Sequence, residues 1–97
     1  MNDLNSVLIE GTVFQKLGFH SVGGVAECDL VLACKRYSES DGEDTLLFEI
    51  RTYGGLAERC HKDLEEGRGI RVAGRLEQEL FKNPWSKICI VAERVEF

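Results

Sequence analysis

Positive charge is scarce in this sequence: 12 Lys and Arg stand against 17 Asp and Glu, a formal net charge of −5 over 97 residues. A protein that tracks a phosphate backbone ordinarily carries an excess of cations. The deficit therefore excludes a uniformly basic protein, while leaving open a basic face. No apolar run approaches the roughly 18 residues that a membrane span needs. The N-terminus has no apolar signal-peptide core, so a cytosolic protein is expected. Metal-ligand spacing is also missing. There is no Cys-x-x-Cys or His-x-x-x-His, and Cys60-His61 are adjacent residues that a helix would point about 100° apart. No nucleophile-and-base motif and no carboxylate pair of known catalytic geometry stands out, so neither enzyme, cofactor nor metal is expected. Internal repeats, low-complexity tracts and linkers are absent, and one domain spanning residues 1–97 is the expectation. Cys28, Cys34, Cys60 and Cys89 sit within apolar patterns, which reads as buried thiols rather than a disulfide framework.

What is present centres on the run from Thr45 to Leu76. Leu46, Phe48 and Ile50 alternate with Leu47, Glu49 and Arg51, which predicts a strand with an apolar and a mixed face, the latter ending at Tyr53. Gly54-Gly55 break it. Leu56, Ala57, Cys60 and Leu64 then recur at helical spacing. Gly67 is placed to close that helix in the left-handed conformation. Ile70 and Val72 restart a period of two, and Gly74 marks a bend.

Upstream, Ser6 to Phe14 predicts a first strand with Val7, Ile9 and Val13 on one face and Leu8 and Phe14 on the other. Apolar groups on both faces suggest that part of this strand meets a second subunit, with Val7, Leu8, Ile9 and Phe14 as candidate interface residues. Lys16 to Gly24 reads as a loop. A second strand follows from Ala26 to Tyr37, then an acidic hairpin tip from Ser38 to Asp44. The fourth strand extends toward Leu80, and Phe81 to Ser86 make a turn around Asn83-Pro84. In the fifth strand the apolar parity slips near Ala92, which predicts a bulge.

Five strands with one short helix between the third and fourth is the order of an all-β, five-stranded Greek-key OB-fold barrel. The residues carry a more specific likeness. YGGLAE, a short helix and EGRGIRVAGRL resemble the centre of the bacterial single-stranded DNA-binding protein family, NSVLIEG its first strand and SKICIVAERVEF its last. The resemblance implies single-stranded DNA binding with little sequence preference, in replication, recombination or repair, by a homo-oligomer, dimer or tetramer. It departs in the first loop, which lacks the family's Asp-Pro-Glu-like segment, and in lacking the family's long C-terminal tail, so no tail-mediated partner recruitment is expected.

By family position the stacking aromatics fall on Tyr37, Leu47, Tyr53 and Phe81, with Trp85 able to compensate for the leucine. Candidate phosphate contacts are Lys35, Arg36, Arg51, Arg71, Arg75, Lys82 and Lys87, all on strands or hairpins that border the expected groove. Blander readings stand beside these. Tyr53 could cover the helix start, Trp85 could pack on Pro84, and the charges could form a solvated mixed surface, since Glu49, Glu77 and Glu79 interrupt the same strands and Gly55 and Glu66 stand where the family often has lysine. Two alternatives to DNA binding follow: an oligomerisation or protein-interaction module, or an accessory factor of the primosomal type, either with weak or lost DNA affinity.

Overall fold

The computed structural model describes residues 3–40, 42–78 and 87–97. Five strands and one helix run in the order β1 (Val7–Val22), β2 (Val25–Ser38), β3 (Gly42–Tyr53), α1 (Gly54–Asp63), β4 (Gly69–Gln78) and β5 (Ile88–Glu96). They close a barrel in the order β1-β2-β3-β5-β4, in which the β3–β5 pairing is parallel and all others antiparallel. This is the five-stranded OB arrangement that the alternation predicted.

Period-two patterning decides what faces inward. Leu30, Leu32, Ile50, Val72 and Val13 are fully buried and form the core with Cys28, Ile70, Ile90, Ala92 and Val95. Each large aliphatic side chain removed from water in this way stabilises the barrel by about 1.5–3 kcal/mol before entropy is subtracted. The polar Thr52 shares the core without cost, because its hydroxyl donates to the Cys28 carbonyl at 2.8 Å. All four cysteines are buried, as their apolar surroundings predicted. The bulge expected near Ala92 is also present. Ala73 pairs with Arg94 but Gly74 pairs with Ala92, so Glu93 is skipped and the parity of β5 reverses before Val95. Gly74 is required here, since a Cβ at this position would lie 2.1 Å from the Val91 carbonyl oxygen.

Two expectations need correction. Lys16 to Gly24 is no loop, since β1 continues to Val22 and pairs with β2 down to Val25, leaving Gly23-Gly24 as a two-residue turn with φ of 57° and 81°. Positive φ at both positions matches the twist of a tight hairpin, which explains a Gly-Gly pair without any longer connection. The register of β1 skips Phe14 and Leu17, two bulges within the strand. Nor does Gly67 close the helix. Helix α1 stops at Leu64 in extended conformation, and the Lys16 ammonium donates to the carbonyls of His61 at 2.7 Å and Leu64 at 3.0 Å. A cation on the C-terminal carbonyls replaces the glycine cap, and Gly67, at φ 92°, turns the chain afterwards. Ile88 shares the parity of Ile90 and is exposed, its rung with Gln78 lying at the end of the β4–β5 ladder.

Candidate nucleic-acid interface

The odd-numbered residues of β2 and β3 point out of the barrel. The β2–β3 register sets Glu27 opposite Tyr53, Asp29 opposite Arg51, Val31 opposite Glu49, Ala33 opposite Leu47, Lys35 opposite Thr45 and Tyr37 opposite Glu43. This one face collects Tyr37, Leu47, Tyr53, Lys35 and Arg51 from the predicted set. Tyr53 is 38% exposed, with Leu47 and Tyr37 more so. Tyr53 is also the N-cap residue of α1, although its side chain makes no capping bond. Its ring keeps an open surface at the start of the helix. The Tyr37 hydroxyl donates to Glu43 at 3.0 Å. Phe81, Lys82 and Trp85 lie outside the described residues.

Cations on or beside this face are not free point charges, and Arg36, of opposite parity, lies on the other side of the β2–β3 ribbon. Lys35 pairs with Glu43 at 3.5 Å, Arg36 with Asp44 at 3.1 Å, and Lys87 with Glu49. The acidic hairpin tip thus neutralises the basic end of β2. Arg71 and Arg75 sit elsewhere, on the outer side of β4. Arg71 binds Glu10 and lies 3.7 Å from Glu96, and Arg75 lies 3.3 Å from Glu77 and 3.5 Å from Glu93. Glu10 is the largest influence holding the Arg71 guanidinium above its ordinary value. The segregated positive track that the sequence allowed is replaced by alternating signs. Exposed pairs of this kind are worth only about 0–1 kcal/mol, so a phosphate can displace most of these carboxylates at little cost.

Arg51 differs. Its side chain is 15% exposed and lies 3.3 Å from Asp29 and 3.6 Å from Glu27, whose other neighbour is the His20 imidazole at 3.0 Å. Two nearly buried carboxylates share one guanidinium. Burial first, and then the neighbouring Glu27 charge, push the Asp29 carboxyl above its usual range, against the opposing pull of Arg51. Alternation along β2 puts Asp29 and Glu27 on the outer face, but nothing in the local pattern points to His20 as their neighbour. Only the β1–β2–β3 register, which sets His20 opposite Glu27, brings the four together.

Of the candidate interface residues on β1, Leu8 and Phe14 are 69% and 55% exposed. Val7 and Ile9 instead pack against the core, because the inward row includes them. The β1–β4 ladder covers Val7 to Thr12, whereas the β1–β2 ladder begins only at Thr12. One edge of the strand is therefore left outside the ladders before that point. Beside it opens a cleft of about 1060 Å³ lined by Thr12, Phe14, Lys35, Thr45, Arg71 and Phe97 among others. Cys60 and His61 diverge as expected: the thiol is buried, and the imidazole stacks on Phe19 with ring centroids 4.1 Å apart.

The chain is a single OB barrel whose β2–β3 face carries tyrosines, an exposed leucine and paired charges, and in OB barrels generally this is the face that meets oligonucleotides and oligosaccharides. The model of the single-strand binding protein family matches residues 4–97, and the chain belongs to that family. The wild-type single-stranded DNA binding protein from Thermus aquaticus superposes with a TM-score of 0.81 at 29% identity, and a deletion mutant of it with 0.79 at 30%. Each match covers 96% of this chain and 49% of the other, so the chain spans about half the length of these relatives. No curated protein matches. Among the described residues, no helix is long and apolar enough to cross a membrane.

Proposed function

We propose that this chain binds single-stranded DNA with little sequence preference, as an oligomer, in replication, recombination or repair. The observation that carries the reading is the outward strip of Tyr37, Leu47 and Tyr53 on β2 and β3 in a member of this family. Aromatic platforms take any base, because every base offers a π-face, and each stack contributes about 1–3 kcal/mol. Leucine at position 47 offers contact area without a π-system. Binding therefore rests on Tyr53 and Tyr37, with Phe81 and Trp85 from the β4–β5 connection. Phosphate contacts come from Lys35, Arg36, Lys82 and Lys87, which exchange carboxylate for phosphate oxygen, and Arg71 and Arg75 serve a strand that leaves this face. Self-association runs through Leu8, Phe14 and the uncovered edge of β1, since an apolar edge of this kind is otherwise a liability in water.

Anisotropy of a labelled oligo(dT) titrated with protein over a series of salt concentrations tests the reading. Saturable binding to the single strand, little binding to a duplex of equal length, and a tenfold or greater loss in Tyr53→Ala, about 1–3 kcal/mol, are expected. The pairing of every described candidate cation with a carboxylate favours a second reading, an interaction module without useful DNA affinity. Failure of folded protein to bind the single strand at low salt selects it.

A further inference from the structure

The outward row of β3 carries a large aliphatic side chain among tyrosine and charged neighbours. Thr12 of β1, Ala33 of β2 and Leu47 of β3 share one rung, and Leu47 is 54% exposed there. Ala33 is the smallest side chain in the outward row of β2, which otherwise presents Glu27, Asp29, Val31, Lys35 and Tyr37. The larger Leu47 beside it bounds a shallow apolar step, with Val31 on the adjoining rung. Each adjoining rung also places a cation at the step. Lys35 stands on one side, paired with the exposed Glu43, and Lys87 on the other, paired with the Glu49 that faces Val31. A nucleotide lying over the step thus has a lysine toward either neighbour, each able to exchange carboxylate for phosphate oxygen.

Resting on the DNA-binding reading above, we infer that the Leu47–Ala33 step is a thymine-selecting subsite, which lays a modest base preference over otherwise indifferent binding. A tyrosine ring stacks on any base, because every base has a π-face. An aliphatic side chain has no such face to offer. It gains by the apolar area it removes from water, so it separates bases by the apolar surface they bring. Thymine alone among the standard DNA bases brings a methyl group, and apolar side chains are the ordinary partners of that methyl where proteins read bases. Uracil has the same hydrogen-bonding edge without the methyl. Burial of one methyl-sized group corresponds to about fourfold in affinity. The preference is confined to the base that meets the step, while the bases on Tyr37 and Tyr53 are held without regard to identity.

The test compares labelled oligo(dT) with oligo(dU) of equal length on the same deoxyribose backbone, titrated with the full chain at one low salt concentration. A homopolymer places the same base over the step in every register, so the ratio of the two affinities reads the methyl contact. Wild type should favour oligo(dT) about fourfold. Leu47→Ala should bring the ratio close to one, chiefly by weakening oligo(dT). Leu47→Phe should tighten both oligomers and also level the ratio, since a ring restores a platform that takes any base. Tyr53→Ala should weaken both oligomers and keep the wild-type ratio. A wild-type ratio near one with clear binding overturns the subsite alone. So does a ratio that survives intact in both Leu47 variants, or one that collapses equally in Tyr53→Ala. Absence of binding to either oligomer by folded protein overturns the DNA-binding reading and the subsite with it.

Discussion

Removing the Arg51 guanidinium strands two carboxylates that are only 10% and 13% exposed. Breaking a buried ion pair by deleting one partner costs about 3–5 kcal/mol, because the other charge is left desolvated and unpaired. Two features soften that figure here: Asp29 takes up a proton more readily than a free aspartate, and the His20 imidazole already lies 3.0 Å from Glu27. A cost of about 3 kcal/mol remains for Arg51→Ala, which for a domain of this size lowers Tm by about 12–24 °C. The sign of its pH dependence follows. With Arg51 gone the folded-state Asp29 value, already raised by burial and the Glu27 charge, rises further above that of the unfolded chain, so the folded state binds more protons, and stability recovers as pH falls through the raised value. Thermal denaturation followed by circular dichroism at neutral and acidic pH reads both effects. Asp29→Asn in the Arg51→Ala background should restore part of the lost stability, because it removes one of the two stranded charges. Should Arg51→Ala melt within a degree or two of wild type and only flatten the salt dependence of oligo(dT) binding, Arg51 is a plain phosphate contact and the cluster holds nothing together.

Gly74→Ala should cost about 2–4 kcal/mol or prevent folding, because its Cβ must displace the Val91 carbonyl and the backbone it belongs to; a melt like that of wild type contradicts the close β4–β5 approach. All four thiols should resist a thiol reagent in the folded protein and react once it is unfolded in denaturant. Burial pushes Cys60 up to about 11, above the ordinary 9.0, so the folded state keeps a proton that the unfolded chain loses, and stability should decline across that alkaline window. Rapid labelling of Cys60 under native conditions contradicts its place on the buried face of α1. Light scattering should give a dimer or larger species, and Leu8→Glu with Phe14→Glu should shift it toward monomer, whereas a wild-type monomer at high micromolar concentration removes the proposed β1 contact.

Side-chain periodicity made most of the barrel legible in the sequence. Phe48 and Ile50, Ala57 and Cys60, and Ile70 and Val72 announce strand, helix and strand because each apolar period matches the geometry that buries it. Even the skipped Glu93 left a trace, as the apolar parity reverses around it. The extension of β1 from Lys16 to Val22 left none. That part of the hairpin stands clear of the core with residues exposed on both faces, so backbone pairing holds it without any two-residue pattern. The interface was legible only in part, for a related reason. Tyr53, Leu47 and Arg51 share a face by simple parity, but what a charge pairs with depends on cross-strand register. Arg51 reads as a free cation until β2 brings Asp29, 22 residues earlier, against it. Lys35 and Arg36 likewise meet Glu43 and Asp44 only when the acidic tip folds back.

The central claim, that this chain takes a single DNA strand on the β2–β3 face, is tested most directly by a titration of isotope-labelled protein with oligo(dT) followed through backbone amide resonances. The account predicts saturable shifts concentrated at Glu27 to Tyr37 and Leu47 to Tyr53, including the Arg51 and Tyr53 amides, with α1 little changed. Unchanged spectra at saturating oligonucleotide, or shifts confined to the outer faces of β1 and β4, contradict it.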